Sequence, residues 1–129
     1  MTQDRITFSI PAMPVSANRI WLQNYKTRHT YLNPKYREFC QIVYYTVITE
    51  RLKMPDDWKY CYVFITLHPK RRIGDADNYN KPISDALTKA GFWRDDKCVA
   101  DIRAKFGSVD KAGRVDVLIE RRETKFEDF

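Results

Sequence analysis

The sequence predicts a single domain over residues 1–129 in the α/β class, of the α+β kind: a mixed β-sheet with two main helices packed on it. Three observations carry this. Two segments, Ile6–Ile10 and Arg114–Arg122, alternate apolar and polar residues with the period of a strand. Two others place apolar residues at helical spacing: Tyr36, Phe39, Cys40, Val43, Tyr44 and Val47, then Ile83, Ala86, Leu87 and Ala90. Between them, Tyr60–Leu67 is almost continuously apolar or β-branched, the pattern of a central strand covered on both faces. A chain of 129 residues with 43% hydrophobic content is large enough for one core and too short for two domains.

Each element has its own local cause. In the first strand Ile6, Phe8 and Ile10 alternate with Thr7 and Ser9, and Pro11 and Pro14 end it. Ser16 to Asn33 is polar, basic and aromatic, and Thr27–Leu32 within it predicts a short strand. Asn33-Pro34 opens a helix: Asn caps, and proline at the first helical position loses no hydrogen bond. The apolar stripe carries that helix to about Lys53, and Met54–Asp57 forms a loop. After the central strand, Pro69-Lys70-Arg71-Arg72 is a basic loop. Pro82 places the first turn of the second helix near Asn78–Lys81, and Gly91 is its natural terminator. Val99–Phe106 and Arg114–Arg122 are the last strands, with a turn at Asp110–Gly113. The predicted order is β-(β)-α-β-α-β-β, with a loose end over residues 125–129 and no internal repeat.

Composition excludes several functions. With 23 Lys and Arg against 17 Asp and Glu, the net charge of +6 favours a polyanionic partner. Three cysteines, Cys40, Cys61 and Cys98, with no Cys-x-x-Cys spacing, argue against structural zinc and a disulfide scaffold. Four glycines form neither a dinucleotide fingerprint nor a P-loop, so no organic cofactor is expected. His29 and His68 are too distant for a zinc helix and read as ordinary loop or strand-end residues. No apolar run approaches the roughly 20 residues of a bilayer span. Met1–Arg5 has no basic region followed by an apolar stretch, so a reduced, cytoplasmic protein is expected.

The chemistry concentrates in Arg71-Arg72-Ile73-Gly74-Asp75-Ala76-Asp77-Asn78-Tyr79-Asn80-Lys81. Two carboxylates two residues apart repel each other, and a cation between them relieves that repulsion. Mg²⁺ takes oxygen ligands, commonly one or two carboxylates plus substrate phosphates. Arg71 and Arg72 suit phosphate oxygens, and Lys81 falls near a helix N-terminus, where anions are favoured. On local sequence, helix capping by Asp75 or Asp77 by itself explains one of the two acids. Asp95-Asp96 is a second pair, for which a solvated turn suffices in isolation. If strands 60–67 and 98–106 are neighbours, the two pairs are able to meet at one sheet edge and form a phosphoryl-transfer site.

The run Asp75-Ala76-Asp77-Asn78-x-x-Lys81, then Asp85-Ala86-Leu87, then Gly91-Phe92-Trp93-Arg94-Asp95-Asp96 resembles the core of the RusA-type Holliday-junction resolvases. Pro14-x-x-x-Asn18-Arg19 and the final strand pair with Gly113-Arg114 fit the same pattern, so the resemblance covers nearly the whole chain. It implies a homodimeric, Mg²⁺-dependent endodeoxyribonuclease that cuts four-way DNA junctions by paired symmetric incisions in recombination and repair. It implies Asp75, Asp77 and Asp96 as metal ligands, Lys81 as the assisting cation, and Asp95 as the alternative to Asp96. Asp85 is expected to face Lys81 one helical turn away. Ile73-Gly74 interrupts the basic run before Asp75 and makes the loop more flexible than unbroken arginines would.

Junction recognition by shape and charge requires phosphate contacts. Candidates are Arg19, Lys26, Arg28, Lys35, Arg37, Lys70, Arg71 and Arg72, with Trp21 or Tyr25 stacking on unpaired bases or simply packing. Helix 34–53, with Tyr44 and Tyr45 adjacent, is a candidate dimer face. Two other functions stay open from sequence: a non-catalytic basic nucleic-acid-binding domain, and a nuclease acting mainly on flaps or forks.

Overall fold

A computed structural model describes residues 4–72 and 74–125. Met1–Gln3, Ile73 and most of the expected loose end, residues 126–129, lie outside the described residues. The strands are β1 (Arg5–Ile10), β2 (Trp21–Gln23), β3 (Thr30–Leu32), β4 (Tyr60–His68), β5 (Val99–Phe106) and β6 (Arg114–Arg122); the helices are α1 (Pro34–Thr49) and α2 (Asn80–Lys89). Three short 3₁₀ turns, Ala17–Arg19, Ala76–Tyr79 and Asp96–Cys98, carry the residues of interest.

The main sheet runs β1-β6-β4-β5. β6 lies antiparallel to both β1 and β4, while β4 and β5 are parallel. A parallel pair needs a crossover, and α2 supplies it. β2 and β3 form a separate antiparallel hairpin, with Trp21 opposite Leu32. Of this hairpin the sequence marks only a strand within Thr27–Leu32, since three-residue strands are too short to show a period.

The helices cover one sheet face. Ile6, Phe8 and Ile10 from β1, Cys61, Val63, Ile65 and Leu67 from β4, and Val115, Val117 and Ile119 from β6 all point into that layer. Tyr36, Phe39, Val43 and Val47 of α1, and Ile83, Ala86 and Leu87 of α2, meet them. Tyr36 also donates its hydroxyl to the Pro82 carbonyl at 2.9 Å, joining the two helices.

One expectation is corrected here. β4 is central, but only one of its faces is fully buried: its burial alternates strictly until Leu67, with Tyr62, Phe64 and Thr66 half-exposed on the opposite side. Helical cover requires an amphipathic element on each face, and both α1 and α2 lie on the same one. The apolar run therefore reflects aromatic residues on an open face, next to Leu118 and Arg103 in the paired strands.

Candidate active site

The parallel pairing of β4 with β5 makes the two acidic segments neighbours along one strand rather than at one point. Leu67 pairs with Phe106 and Cys61 with Val99. The 76–79 turn packs on β5, and the Tyr79 ring meets Phe106, the last residue of that strand, at 6.4 Å. Asp96, in contrast, opens the turn that leads into the first residue of β5. Eight strand residues at about 3.3 Å each separate these two ends. Accordingly, among the described residues no group of three acidic, His or Cys side chains is gathered tightly enough to hold a metal. Asp75 and Asp77 share one short segment, and Asp96 lies before the opposite end of β5.

The local backbone decides what each acid does. Asp75 occupies the N-cap position of the 76–79 turn with extended backbone (φ −99°, ψ 140°), yet its side chain makes no capping bond. Asp95 precedes its own turn with φ −155° and ψ 171°, and its Oδ1 accepts from the Lys97 N–H at 2.7 Å. Asp95 is thus a cap and Asp96 is not. Asp85 accepts from Lys81 at 3.2 Å, as the i,i+4 spacing predicts. Asp116 bonds Ser9 and His68, Asp110 pairs with Arg114, and Asp101 with Arg103. Asp56 pairs with Lys53, and Asp4 and Asp57 flank Arg121. Among the described residues, the aspartates left without a side-chain hydrogen bond or ion pair are Asp75, Asp77 and Asp96, and all three are exposed.

Cations surround the 75–79 segment. Lys81 lies in the first turn of α2, exposed. Arg72 donates to the Gly107 carbonyl at 3.3 Å, while Lys70 and Arg71 are exposed beside it. The 17–19 turn packs on both the 76–79 turn and α2, which brings exposed Arg19 to the same place. Asn33 fixes that turn: its Nδ2 donates to the Arg19 carbonyl at 2.8 Å, while its Oδ1 caps α1 through the Lys35 N–H at 3.0 Å. Lys26 and Arg28 lie at the tip of the β2–β3 hairpin, held by Asn24, whose Oδ1 accepts from the Lys26 N–H at 2.9 Å. Trp21, Tyr25 and Tyr31 are exposed on the same hairpin. Lys35 and Arg37 are exposed on the first turn of α1. Sequence spacing gave no sign of the Arg72–Gly107 contact or of the packing of the 17–19 turn, since both join segments far apart in the chain.

Behind Asp96, Cys98 Sγ donates to the Asp95 carbonyl at 3.3 Å. The neighbouring Cys61 sulfur, opposed by desolvation and the charges of Asp95 and Asp96, holds the Cys98 thiol below its ordinary value; the Cys98 sulfur and burial push Cys61 up. All three cysteines are free thiols.

The family model described as Endodeoxyribonuclease RusA matches residues 11–120. A crossover junction endodeoxyribonuclease RusA of Escherichia coli strain K12 is 37% identical over 117 residues, which is 88% of this chain and 93% of the relative. The protein of the same name from Enterobacteria phage 82 is 51% identical over 51 residues, 40% of this chain and 42% of the relative.

Proposed function

The chain belongs to the RusA family of endodeoxyribonucleases, and on that premise we propose that it is a Mg²⁺-dependent enzyme that resolves four-way DNA junctions by paired symmetric cuts in recombination and repair. The whole chain acts as one nuclease domain. One observation carries the metal assignment: among the described residues Asp75, Asp77 and Asp96 are the aspartates whose side chains have no protein partner. In a chain that pairs its other described aspartates, exposed and unpaired carboxylates are what a cation site leaves. Their chemistry fits Mg²⁺, which takes hard oxygen ligands and keeps open positions for water and phosphate. When bound, the ion supplies an activated water at neutral pH and neutralises charge on the phosphate and leaving oxygen.

The chain's own residues do the rest. Lys81, steadied by Asp85, holds a positive charge at the head of α2, where helix geometry already favours an anion. It stabilises the charge that develops as the phosphodiester opens. Arg19, Lys70, Arg71 and Arg72 hold flanking phosphates, and Lys26 and Arg28 extend the contact along a DNA arm. Trp21 or Tyr25 stacks on bases unpaired at the crossover.

A homodimer completes the site. Within one chain the carboxylates are divided between the two ends of β5. A two-fold axis perpendicular to β5 near its middle brings the Asp96 end of one copy to the 75–79 end of the other. The same axis gives two sites with the symmetry of the junction, so that opposite strands are cut in pairs. Tyr44, Tyr45 and Ile48 are exposed on α1, which packs towards β1 at the opposite edge of the sheet, so they lie away from a contact made through β5.

The test is incubation of the purified protein with a synthetic four-way junction, a fork and a linear duplex, with Mg²⁺ or with chelator. The expected result is Mg²⁺-dependent, symmetric nicks in the junction and little cutting of the others. Tight junction binding without cutting at any metal concentration or pH would leave only a nucleic-acid-binding domain. Preferential cutting of forks would replace the substrate.

A further inference from the structure

His68 ends β4, and its side chain is only 10% exposed. Its Nδ1 lies 2.7 Å from the Ser108 carbonyl oxygen and its Nε2 lies 3.0 Å from Asp116 Oδ2. Both of these partners present oxygen atoms to the ring, which is held between them. The Ser108 hydroxyl, 3.4 Å from Nδ1, is a far weaker contact than the carbonyl. Asp116 is in turn held by the Ser9 hydroxyl at 2.7 Å and by Arg114 Nε at 3.1 Å, and Arg114 also reaches Asp110 at 3.2 Å. Burial alone would raise the Asp116 carboxyl; the Ser9 hydroxyl, Arg114 and His68 outweigh it and hold the group below its usual value.

The imidazole lies directly on Gly107. A Cβ at that position would stand 2.5 Å from His68 Cε1 and 2.8 Å from Thr66 Cγ2, so only glycine fits under the ring. Gly107 is also the contact point with the basic loop: its N–H donates to the Leu67 carbonyl at 2.8 Å, and its carbonyl accepts from Arg72. Asp110 N–H donates to the Pro69 carbonyl at 3.0 Å. The residues after β5 are therefore laced to the exit of β4, and His68 is the side chain at the centre of the lacing.

We propose that His68 is a positioning residue of the nuclease site: by bridging Asp116 and the Ser108 carbonyl it pins residues 107–110 against the exit of β4, and so fixes where Arg72 and the acidic segment after it are held. The role rests on the nuclease reading. It matters because Gly74, at φ +73°, lies between Arg72 and Asp75, and glycine restricts its own backbone less than any other residue. Precision has to be imposed from the anchored side, and catalysis is sensitive to misplacements of about 1 Å.

The experiment compares wild type with His68→Phe, which keeps a ring and removes both ring nitrogens, and His68→Gln, which restores an amide donor. Three readouts are taken: amide hydrogen exchange over residues 67–72 and 107–110, single-turnover cutting of a four-way junction, and junction affinity in chelator. In His68→Phe, exchange at Gly107 and Asp110 is expected to accelerate by about tenfold or more and cutting to slow by a similar factor, with affinity changed less than about threefold. His68→Gln is expected to recover part of both. Unchanged exchange and cutting in His68→Phe would overturn the proposal, as would a loss of cutting matched by an equal loss of affinity. Should His68→Phe fail to fold, Asp116→Asn has to show the same exchange and rate loss in a folded chain, or the proposal falls. If wild type itself does not cut, the nuclease reading fails, while the exchange comparison still decides whether His68 pins the loop.

Discussion

Asp95 and Asp96 are adjacent and chemically identical, yet the backbone gives them different work. The extended conformation at Asp95 turns its carboxylate back onto the Lys97 N–H, and Asp96, one residue further, is left free. Asparagine caps as well as aspartate, so Asp95→Asn is expected to keep both stability and cutting. Asp96→Asn, Asp75→Asn and Asp77→Asn are each expected to slow junction cutting by roughly two orders of magnitude or more, with gel-shift affinity kept or improved because the pocket is less negative. Which of the paired acids is a cap and which is free depends on φ and ψ at one residue, and for that reason it was not legible in the sequence, whereas the acids themselves and their spacing were. Asp116 gives a prediction of the opposite kind. Its folded carboxyl lies below its ordinary value, so the stability it contributes is present above the unfolded value near pH 4 and is lost as pH falls through the lower folded one. Since the side chain is 39% exposed, solvent screening limits that contribution to the order of 1 kcal/mol or less. Thermal melts of Asp116→Asn are expected to fall below wild type at pH 7 and to converge with it below about pH 3.

The two helices end in the same way but from different residues. After α2, Gly91 has φ +84°, the Phe92 N–H reaches the Leu87 carbonyl at 3.0 Å and the Gly91 N–H the Thr88 carbonyl at 3.1 Å. After α1, Arg51 has φ +54°, with Leu52 N–H on the Val47 carbonyl at 2.9 Å and Arg51 N–H on the Ile48 carbonyl at 3.3 Å. Both are Schellman terminations. The left-handed conformation costs an L-residue roughly 1–2 kcal/mol, which Gly91 avoids and Arg51 does not. Arg51→Gly is therefore expected to stabilise the chain by about 1 kcal/mol, less the extra entropy of an unfolded glycine, and to raise the melting temperature by roughly 2–4 °C. The same contrast explains how far the fold could be read. The end of α2 was legible because glycine marks it; α1 was expected to run to Lys53 and stops at Thr49, because arginine carries no such mark. Both helices and the first and last strands were plain in the periodicity, and β4 showed as a continuous apolar run. The β2–β3 hairpin was only half visible, although it carries exposed cations and rings to one tip. Its contribution is measurable: Lys26→Ala with Arg28→Ala is expected to lower the slope of log affinity against log salt by up to about 2, near 0.9 for each phosphate that the double variant no longer neutralises.

At the scale of the whole molecule, a basic chain of +6 has, among its described residues, its unpartnered aspartates on two segments, Asp75 and Asp77 before α2 and Asp96 just before β5. Charge alone draws DNA to the surface; on the proposed function, cutting needs these two points to meet, and β5 runs between them within one copy. A second copy resolves this only if each site takes Asp75 and Asp77 from one chain and Asp96 from the other. Mixing two inactive variants separates this arrangement from a self-contained site. Asp75→Asn and Asp96→Asn chains, unfolded together and refolded, form about half heterodimers if they associate at random. With shared sites, each heterodimer has one site carrying both substitutions and one carrying neither. Cutting then returns, and it returns as nicks in one strand rather than paired incisions, because only one of the two sites is intact. With self-contained sites every site in every dimer carries one lesion, and the mixture stays as inactive as its parts. Sedimentation of the mixture confirms that dimers have formed, so that silence in the cutting assay counts against shared sites and not against association.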